Sequence, residues 1–112
     1  MRLNSLQLIN FRNYDNLHLN FEKNINLLVG KNGQGKTNIV EAIYMLSFGK
    51  SFRTNKDKEV IKFGSENLYI GGNYLKNSSK GLIEVAIGKN KKGIKVNKIH
   101  IQKIQDIETV RN

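Results

Sequence analysis

The sequence contains no cysteine, no proline and no tryptophan, and few acidic residues. Without cysteine there are no disulfides and no thiolate metal sites, which suits a reducing compartment, so we expect a cytoplasmic protein. No apolar run approaches the roughly 18 residues of a membrane span, and the opening residues lack the long apolar segment of a secretory signal. We therefore expect no membrane partner.

Basic side chains are in large excess. The 112 residues include 19 basic and 9 acidic side chains, for a formal net charge of +10. Residues 49–112 hold most of the excess, with fourteen basic and six acidic side chains. A surface this basic attracts polyanions such as nucleic acid. Lysine outnumbers arginine fifteen to four, however, so the excess equally fits a compositional bias without a function.

The first third of the chain predicts three strands. Apolar and polar residues alternate around Leu6 and Leu8 and again from Leu17 to Phe21, with turn-forming residues at 13–16. This pattern predicts an antiparallel pair. Residues 25–30, INLLVG, form a nearly continuous apolar run, which is typical of a strand buried on both faces.

Helical spacing follows. From Lys36, apolar residues recur every three or four positions, and Gly49 is placed to end that helix. A second, short helix is predicted from about Lys56 to Phe63, capped by Asn55 and closed by Gly64. The glycine-rich segment before Lys36 therefore lies between a buried strand and a helix.

The second half of the chain predicts a lysine-rich meander of antiparallel strands, because alternation resumes in three segments separated by turn-forming residues. These segments are 68–75, 82–87 and 93–101. Apolar residues three apart then predict a short amphipathic helix over 101–111. We expect one domain, with a P-loop segment at 1–64, the meander at 65–100 and this last helix.

The most specific motif is the octapeptide Gly30-Lys31-Asn32-Gly33-Gln34-Gly35-Lys36-Thr37, which matches G-x-x-x-x-G-K-[ST] at every defined position. Glycine reaches most cheaply the backbone angles that turn successive N–H groups inward, and it leaves room for phosphate oxygens. The helix that follows offers unpaired N–H groups and the positive end of its dipole. The motif therefore predicts a P-loop that binds a nucleoside triphosphate.

Each motif residue has an expected role. Gly30, Gly33 and Gly35 shape the loop, and Lys31, Asn32 and Gln34 contribute mainly backbone N–H groups. Lys36 is expected to bridge the β- and γ-phosphates, and the Thr37 hydroxyl to ligate Mg²⁺. The alternative is a glycine-rich turn that merely joins a strand to a helix. GTP is disfavoured, since the chain has neither N-K-x-D nor D-x-x-G.

Several short segments together carry a family resemblance: FRNY at 11–14, NGQGKT at 32–37, EAIY at 41–44, and SFRT with KDKE at 51–59. With these the chain resembles the amino-terminal segment of the RecF family of bacterial DNA replication and repair proteins, and more distantly the heads of SMC-type ATPases. The resemblance is strongest from Leu3 to Gly64. It implies an α/β (mixed α+β) fold, the amino-terminal lobe of an ABC/SMC-type head with antiparallel strands around the P-loop strand and helix.

The resemblance also implies cofactors and partners. These are ATP with Mg²⁺, single-stranded or gapped DNA, recombination-mediator proteins, and a second copy bound in an ATP-dependent homodimer of the full-length protein. By position, Arg12 and Asn13 match a basic site that approaches the nucleotide phosphates, and Arg53 matches an arginine near the γ-phosphate or DNA. The alternatives are that Arg12 lies in a solvated turn and that Arg53 lies along the end of the helix.

The chain also departs from the family pattern. RecF-like proteins are roughly three times as long, and no apolar run here ends in the Asp-Glu pair that would hold Mg²⁺ or activate water. Glu84 alternates with apolar residues, so we expect it on the solvent face of a strand. We therefore expect a truncated lobe of a weak DNA-dependent ATPase that hydrolyses negligibly by itself and contains no catalytic residue.

A second hypothesis from another class stays open. The chain would then be chiefly a basic DNA-binding module whose P-loop holds anions without a nucleotide-dependent role. Five lysines of the meander would bind the DNA phosphates: Lys89, Lys91, Lys92, Lys95 and Lys98.

Overall fold

The computed structural model describes residues 2–21, 33–89 and 91–101, with only the backbone given for Gly33 and Gln34. The predicted strand at 25–30 and nearly all of the predicted helix at 101–111 lie outside the described residues. Within the described part, no helix is long and apolar enough to cross a membrane.

One antiparallel sheet organises the described chain. Its strands are β1 (Arg2–Phe11), β2 (Tyr14–Asn20), β3 (Leu68–Lys76), β4 (Ser79–Gly88), β5 (Lys91–Val96) and β6 (Ile99–Ile101). They lie in the order β2-β1-β3-β4-β5-β6. The predicted antiparallel pair is therefore confirmed as β1 and β2, and the strands that the alternation indicated pair with one another as a meander.

The inner face of the sheet carries the core. Leu6 and Leu8 of β1, Ile70 of β3 and Val85 of β4 are all at most 1% exposed. They point to one face because side chains alternate along a strand. The buried face of one long helix covers them. This explains why every second residue of these strands, the one on the inner face, is apolar.

That helix is α1 (Gly33–Phe48). It begins inside the glycine-rich motif, three residues before the predicted start, and Gly49 follows it with φ of +77°, as the predicted end requires. α1 approaches β3 closely at Gly72, where a Cβ atom would lie 2.6 Å from Cδ1 of Leu46. The glycine therefore lets the helix lie against the sheet.

The predicted helix from Lys56 to Phe63 is wrong in extent. Only one 3₁₀ turn forms, at Asp57–Val60, and the residue before it is Lys56, without a side-chain cap from Asn55. Ile61 is extended and forms an isolated antiparallel bridge with Phe11, while Val60 is buried. Pairing with the end of β1 therefore stops the helix after one turn.

The prediction of one strand segment at 93–101 is also corrected. It contains two strands, because Asn97 and Lys98 form a turn with φ of +52° and +69° between β5 and β6. Two consecutive residues with positive φ are typical of a tight hairpin turn, which asparagine tolerates well. The Asn97 side-chain oxygen accepts a hydrogen bond from the Leu82 N–H at 2.9 Å, which fixes this turn against β4.

Burial of the inner face yields a test of the fold. Leu8 and Leu17 lie directly opposite each other in β1 and β2, but Leu8 is fully buried and Leu17 only partly. We expect Leu8→Ala to lower the free energy of unfolding by about 2–5 kcal/mol and Leu17→Ala by roughly half of that or less. Urea unfolding measures both, and equal losses would contradict the assigned core.

Candidate functional site

The first turns of α1 present the described end of the glycine-rich motif. Lys36 and Thr37 are exposed there, and the first turn contains no acidic side chain. Gly30, Lys31 and Asn32 lie outside the described residues. The exposed N–H groups and dipole of a helix start favour an anion, and no carboxylate of the first turn opposes one.

Arg12 lies in the β1–β2 turn and reaches α1. Its Nε–H donates to Oε1 of Glu41 at 2.9 Å and its Nη2 to Oε2 at 2.7 Å, while Nη1 donates to the Glu59 carbonyl at 3.2 Å. Glu41 is fully buried, and the Arg12 side chain is 22% exposed. The interpretation of Arg12 as a solvated turn residue is therefore wrong, because its guanidinium is fixed by a two-pronged ion pair.

Arg53 joins the same carboxylate from the other side. Its Nη1 donates to Oε1 of Glu41 at 3.1 Å and to the Asn38 side-chain oxygen at 2.7 Å. The Ser51 hydroxyl donates to Oε2 of Glu41 and accepts the Arg53 backbone N–H. We call these five residues, Arg12, Asn38, Glu41, Ser51 and Arg53, the Glu41 cluster.

The charge on Glu41 is stabilised by its neighbours. Burial would raise the pKa of Glu41, but hydrogen bonds from Arg12 and Ser51 and the charges of Arg12 and Arg53 outweigh burial and lower the pKa below its ordinary value. The same hydrogen bond and ion pair raise the pKa of Arg12, although partial burial opposes them. The cluster is therefore one carboxylate with two guanidiniums and carries a net charge of +1.

An open pocket of about 800 Å³ lies against this cluster. Arg12, Asn13, Asn38 and Arg53 form one wall, and the Asn38 side chain donates to that of Asn13 at 3.3 Å. Asn38 directly follows Thr37 in the chain, so one lining residue is next to the motif, although Lys36 and Thr37 themselves do not line the pocket. Phe63 also lines the pocket and is 99% exposed.

The structure brings Arg12, Asn13 and Arg53 together, as one site would require, and their roles toward a nucleotide stay predictions. Asn38, Glu41 and Ser51 were missed by the sequence reasoning. The available signal was an amide and a carboxylate, Asn38 and Glu41, on the same helical face as the core residues Ala42 and Met45.

The five meander lysines do not form one patch. Lys89 lines the pocket, Lys91 begins β5 beside it, and the Lys92 Nζ lies 3.3 Å from Oδ1 of Asp57. Lys95 lies opposite Glu84 in the register of the strands, and Lys98 occupies the β5–β6 turn at the far end.

Glu84 lies on the face of β4 away from the core residues Ile83 and Val85, as expected, but it is not exposed there. It is 8% exposed, accepts the Tyr69 hydroxyl at 2.6 Å and lies 3.2 Å from the Lys98 Nζ. Burial would raise the pKa of Glu84, but the Tyr69 and Lys98 hydrogen bonds and the Lys98 and Lys95 charges outweigh it and lower that pKa. Exposure to solvent was wrongly expected because Tyr69 of β3 and Lys98 of the β5–β6 turn cover the carboxylate.

Comparison with known proteins identifies the family. The model of the family described as "AAA domain" matches residues 5–112. The chain belongs to the AAA domain family. Curated relatives of this AAA domain are named "DNA replication and repair protein RecF". The protein from Clostridioides difficile (strain 630) is 69% identical over 96% of the chain, and that from Clostridium acetobutylicum is 46% identical over all of it.

Solved structures agree with that assignment. A structure of the recombination mediator protein RecF-ATP in the RecFOR pathway is 33% identical, with a TM-score of 0.77 over 94% of the chain. The SMC head domain from Thermotoga maritima, 18% identical with a TM-score of 0.66, shares the fold. The chain spans 29–31% of the length of these curated relatives. The resemblance to RecF and the expected P-loop head fold are therefore confirmed.

The Glu41 cluster predicts a pH-dependent contribution to stability. Glu41→Gln should lower the free energy of unfolding at pH 7 by about 3 kcal/mol, because the two arginines lose their buried partner. Since the pKa of Glu41 is lowered in the folded state, its contribution is full above the ordinary value of 4.5 and disappears as the pH falls through the lowered value.

Urea unfolding of both proteins between pH 7 and pH 3 tests this effect. We expect the difference between wild type and variant to be constant above the ordinary pKa and to shrink below it. The exposed Glu66 of the same pocket serves as control, and Glu66→Gln should change stability by no more than about 0.5 kcal/mol. A difference that persists unchanged at pH 3 would contradict the assigned charge state.

Proposed function

We propose that this chain is the ATP-binding lobe of a RecF-like DNA replication and repair protein. One observation carries the proposal: the P-loop helix exposes Lys36 and Thr37 at its start, and Asn38, the next residue, lines a pocket together with two arginines. Relatives are named RecF, and one similar solved structure is of RecF with ATP. Residues 1–112 would form a single lobe, with the P-loop segment at 1–64 and the meander at 65–100.

The residues present fit ATP with Mg²⁺. The motif from Gly30 to Thr37 would hold the triphosphate through backbone N–H groups and the Lys36 ammonium, and the Thr37 hydroxyl would ligate Mg²⁺. Arg12 and Asn13 would approach the nucleotide phosphates from the pocket wall, and Arg53 would lie near the γ-phosphate or DNA. Bound ATP would supply the γ-phosphate, and contacts to it would differ before and after hydrolysis.

The wider role follows the family resemblance. We propose that the intact protein binds single-stranded or gapped DNA, acts with recombination mediators in the cytoplasm, and forms an ATP-dependent homodimer in which ATP acts as the switch. The 112 residues contain no apolar strand that ends in Asp-Glu. By itself the chain would therefore bind ATP and hydrolyse it negligibly.

Isothermal titration with Mg-ATP tests the ATP site. We expect Lys36→Ala to weaken binding about tenfold or more, because a charge-assisted contact to phosphate is lost. Lys50→Ala removes the same charge from an exposed position just past the other end of α1, and it should leave the affinity within about twofold. If the two variants bind alike, the P-loop is not a nucleotide site.

The positions of the carboxylates favour two of the five meander lysines for DNA binding. Carboxylates lie beside three of the five lysines, since Lys92 pairs with Asp57 and both Lys95 and Lys98 lie near Glu84. Among the described residues, Lys89 and Lys91 have no such ion pair, and both lie at the pocket end of the sheet. We propose that these two contribute most to contacts with DNA phosphates.

A salt series with single-stranded DNA compares two double variants of equal charge. We expect Lys89→Gln with Lys91→Gln to weaken binding and to reduce the slope of log K against log salt by about 1.4, which corresponds to two lost phosphate contacts. Lys95→Gln with Lys98→Gln should change the slope by less than half as much. Equal effects would indicate that only net charge matters, and unchanged binding by the first variant would exclude that patch.

A further inference from the structure

A buried carboxylate lies directly behind Arg12 and Arg53, the two arginines of the proposed phosphate site. Glu41 is fully buried, yet its negative charge opposes any anion that approaches Arg12 and Arg53. If attraction of phosphate were the only requirement, a neutral residue at position 41 would give a more positive pocket. The contacts that Glu41 makes indicate a different role.

The first contact fixes the orientation of Arg12. Both carboxylate oxygens of Glu41 bind the Nε and Nη2 edge of the guanidinium, and the Glu59 carbonyl binds Nη1. Three acceptors around one planar group determine its plane as well as its position. Arg12 also has φ of +54°, in a turn where its own N–H donates to the Val60 carbonyl at 2.8 Å. The backbone and the side chain are thus fixed separately.

The second set of contacts fixes the segment that carries Arg53. This segment follows α1 and reaches Glu41 through the Ser51 hydroxyl and through Nη1 of Arg53. Oε1 of Glu41 is shared, because it accepts Nε of Arg12 at 2.9 Å and Nη1 of Arg53 at 3.1 Å. The positions of the two guanidiniums are therefore linked through one atom.

We propose that Glu41 is a positioning residue that sets the arrangement of Arg12 and Arg53 for the phosphates of a bound nucleotide. This inference rests on the proposed ATP site and assigns it a residue behind the wall. Fixed guanidiniums need not be ordered when the ligand arrives, so part of the entropic cost of binding is met in advance. Without Glu41 the pocket would be more positive but less ordered.

A role through charge alone and a role in positioning predict opposite changes in Mg-ATP affinity for Glu41→Gln. If Glu41 acts only through its charge, Glu41→Gln should tighten binding of Mg-ATP, as Glu66→Gln at the exposed rim of the same pocket should do slightly. If Glu41 positions the arginines, Glu41→Gln should weaken binding about tenfold despite the more positive pocket. Unchanged or tighter binding by Glu41→Gln would overturn the proposal.

A double-mutant cycle separates positioning from general destabilisation. We expect Arg53→Lys to weaken Mg-ATP binding about fivefold in the wild type and by less than about twofold in Glu41→Gln. The planar guanidinium of Arg53 is better than an ammonium only while Glu41 fixes its orientation. The affinities refer to the folded fraction, measured by circular dichroism in the same buffer. Equal losses in both backgrounds would overturn the coupling.

Ser51→Ala provides a variant that keeps the buried ion pairs. It removes only the hydroxyl that links the segment of Arg53 to Glu41. We expect binding to weaken about threefold with little loss of stability, and no weakening would count against the proposal even if Glu41→Gln failed to fold.

Lys36→Ala distinguishes failure of the proposed nucleotide site from failure of the positioning role of Glu41. If it leaves the affinity unchanged, the proposed nucleotide site itself fails. If it weakens binding while Glu41→Gln and Ser51→Ala do not, the site stands and the positioning role of Glu41 fails.

Discussion

The described structure depends most on the burial of one charge. Moving the Glu41 carboxylate out of water costs several kcal/mol, and the cost is offset only while two guanidiniums and a hydroxyl bind it. These partners come from two separate places, the β1–β2 turn and residues 51–53, and they meet on a carboxylate of α1. One ionic contact therefore requires the elements around the pocket to form together.

The sheet makes this contact possible. Pairing of β1 with both β2 and β3 places the Arg12 turn at one end of the sheet, and the bridge between Phe11 and Ile61 holds the 3₁₀ turn against the same end. α1 lies across the inner face, where Gly72 permits a close approach. The register of the strands and the rotation of α1 together direct Glu41 towards the Arg12 turn. The pocket is thus a consequence of core packing.

Local patterns predicted much of this fold. The helix that ends before Gly49 and the β1–β2 pair follow from neighbouring residues, because strand alternation, helical spacing and glycine angles are local properties. Contacts between distant residues were not predictable in the same way. Arg12 and Glu41 are 29 positions apart, and the bridge of Ile61 to Phe11 shortened a helix that local spacing favoured. The burial of Glu84 was missed because Tyr69 of β3 and Lys98 of the β5–β6 turn cover it.

The role proposed for Glu41 is to hold Arg12 and Arg53 ready for a nucleotide. Nitrogen-15 NMR of the arginine side chains, before and during addition of Mg-ATP, tests it most directly. We expect a slowly exchanging Nε–H of Arg12 in the free chain, because that proton is bound to Glu41, and we expect shifts of both arginine signals on binding. Rapid exchange of that proton in the free chain, or binding that moves neither arginine signal, would contradict this role of Glu41.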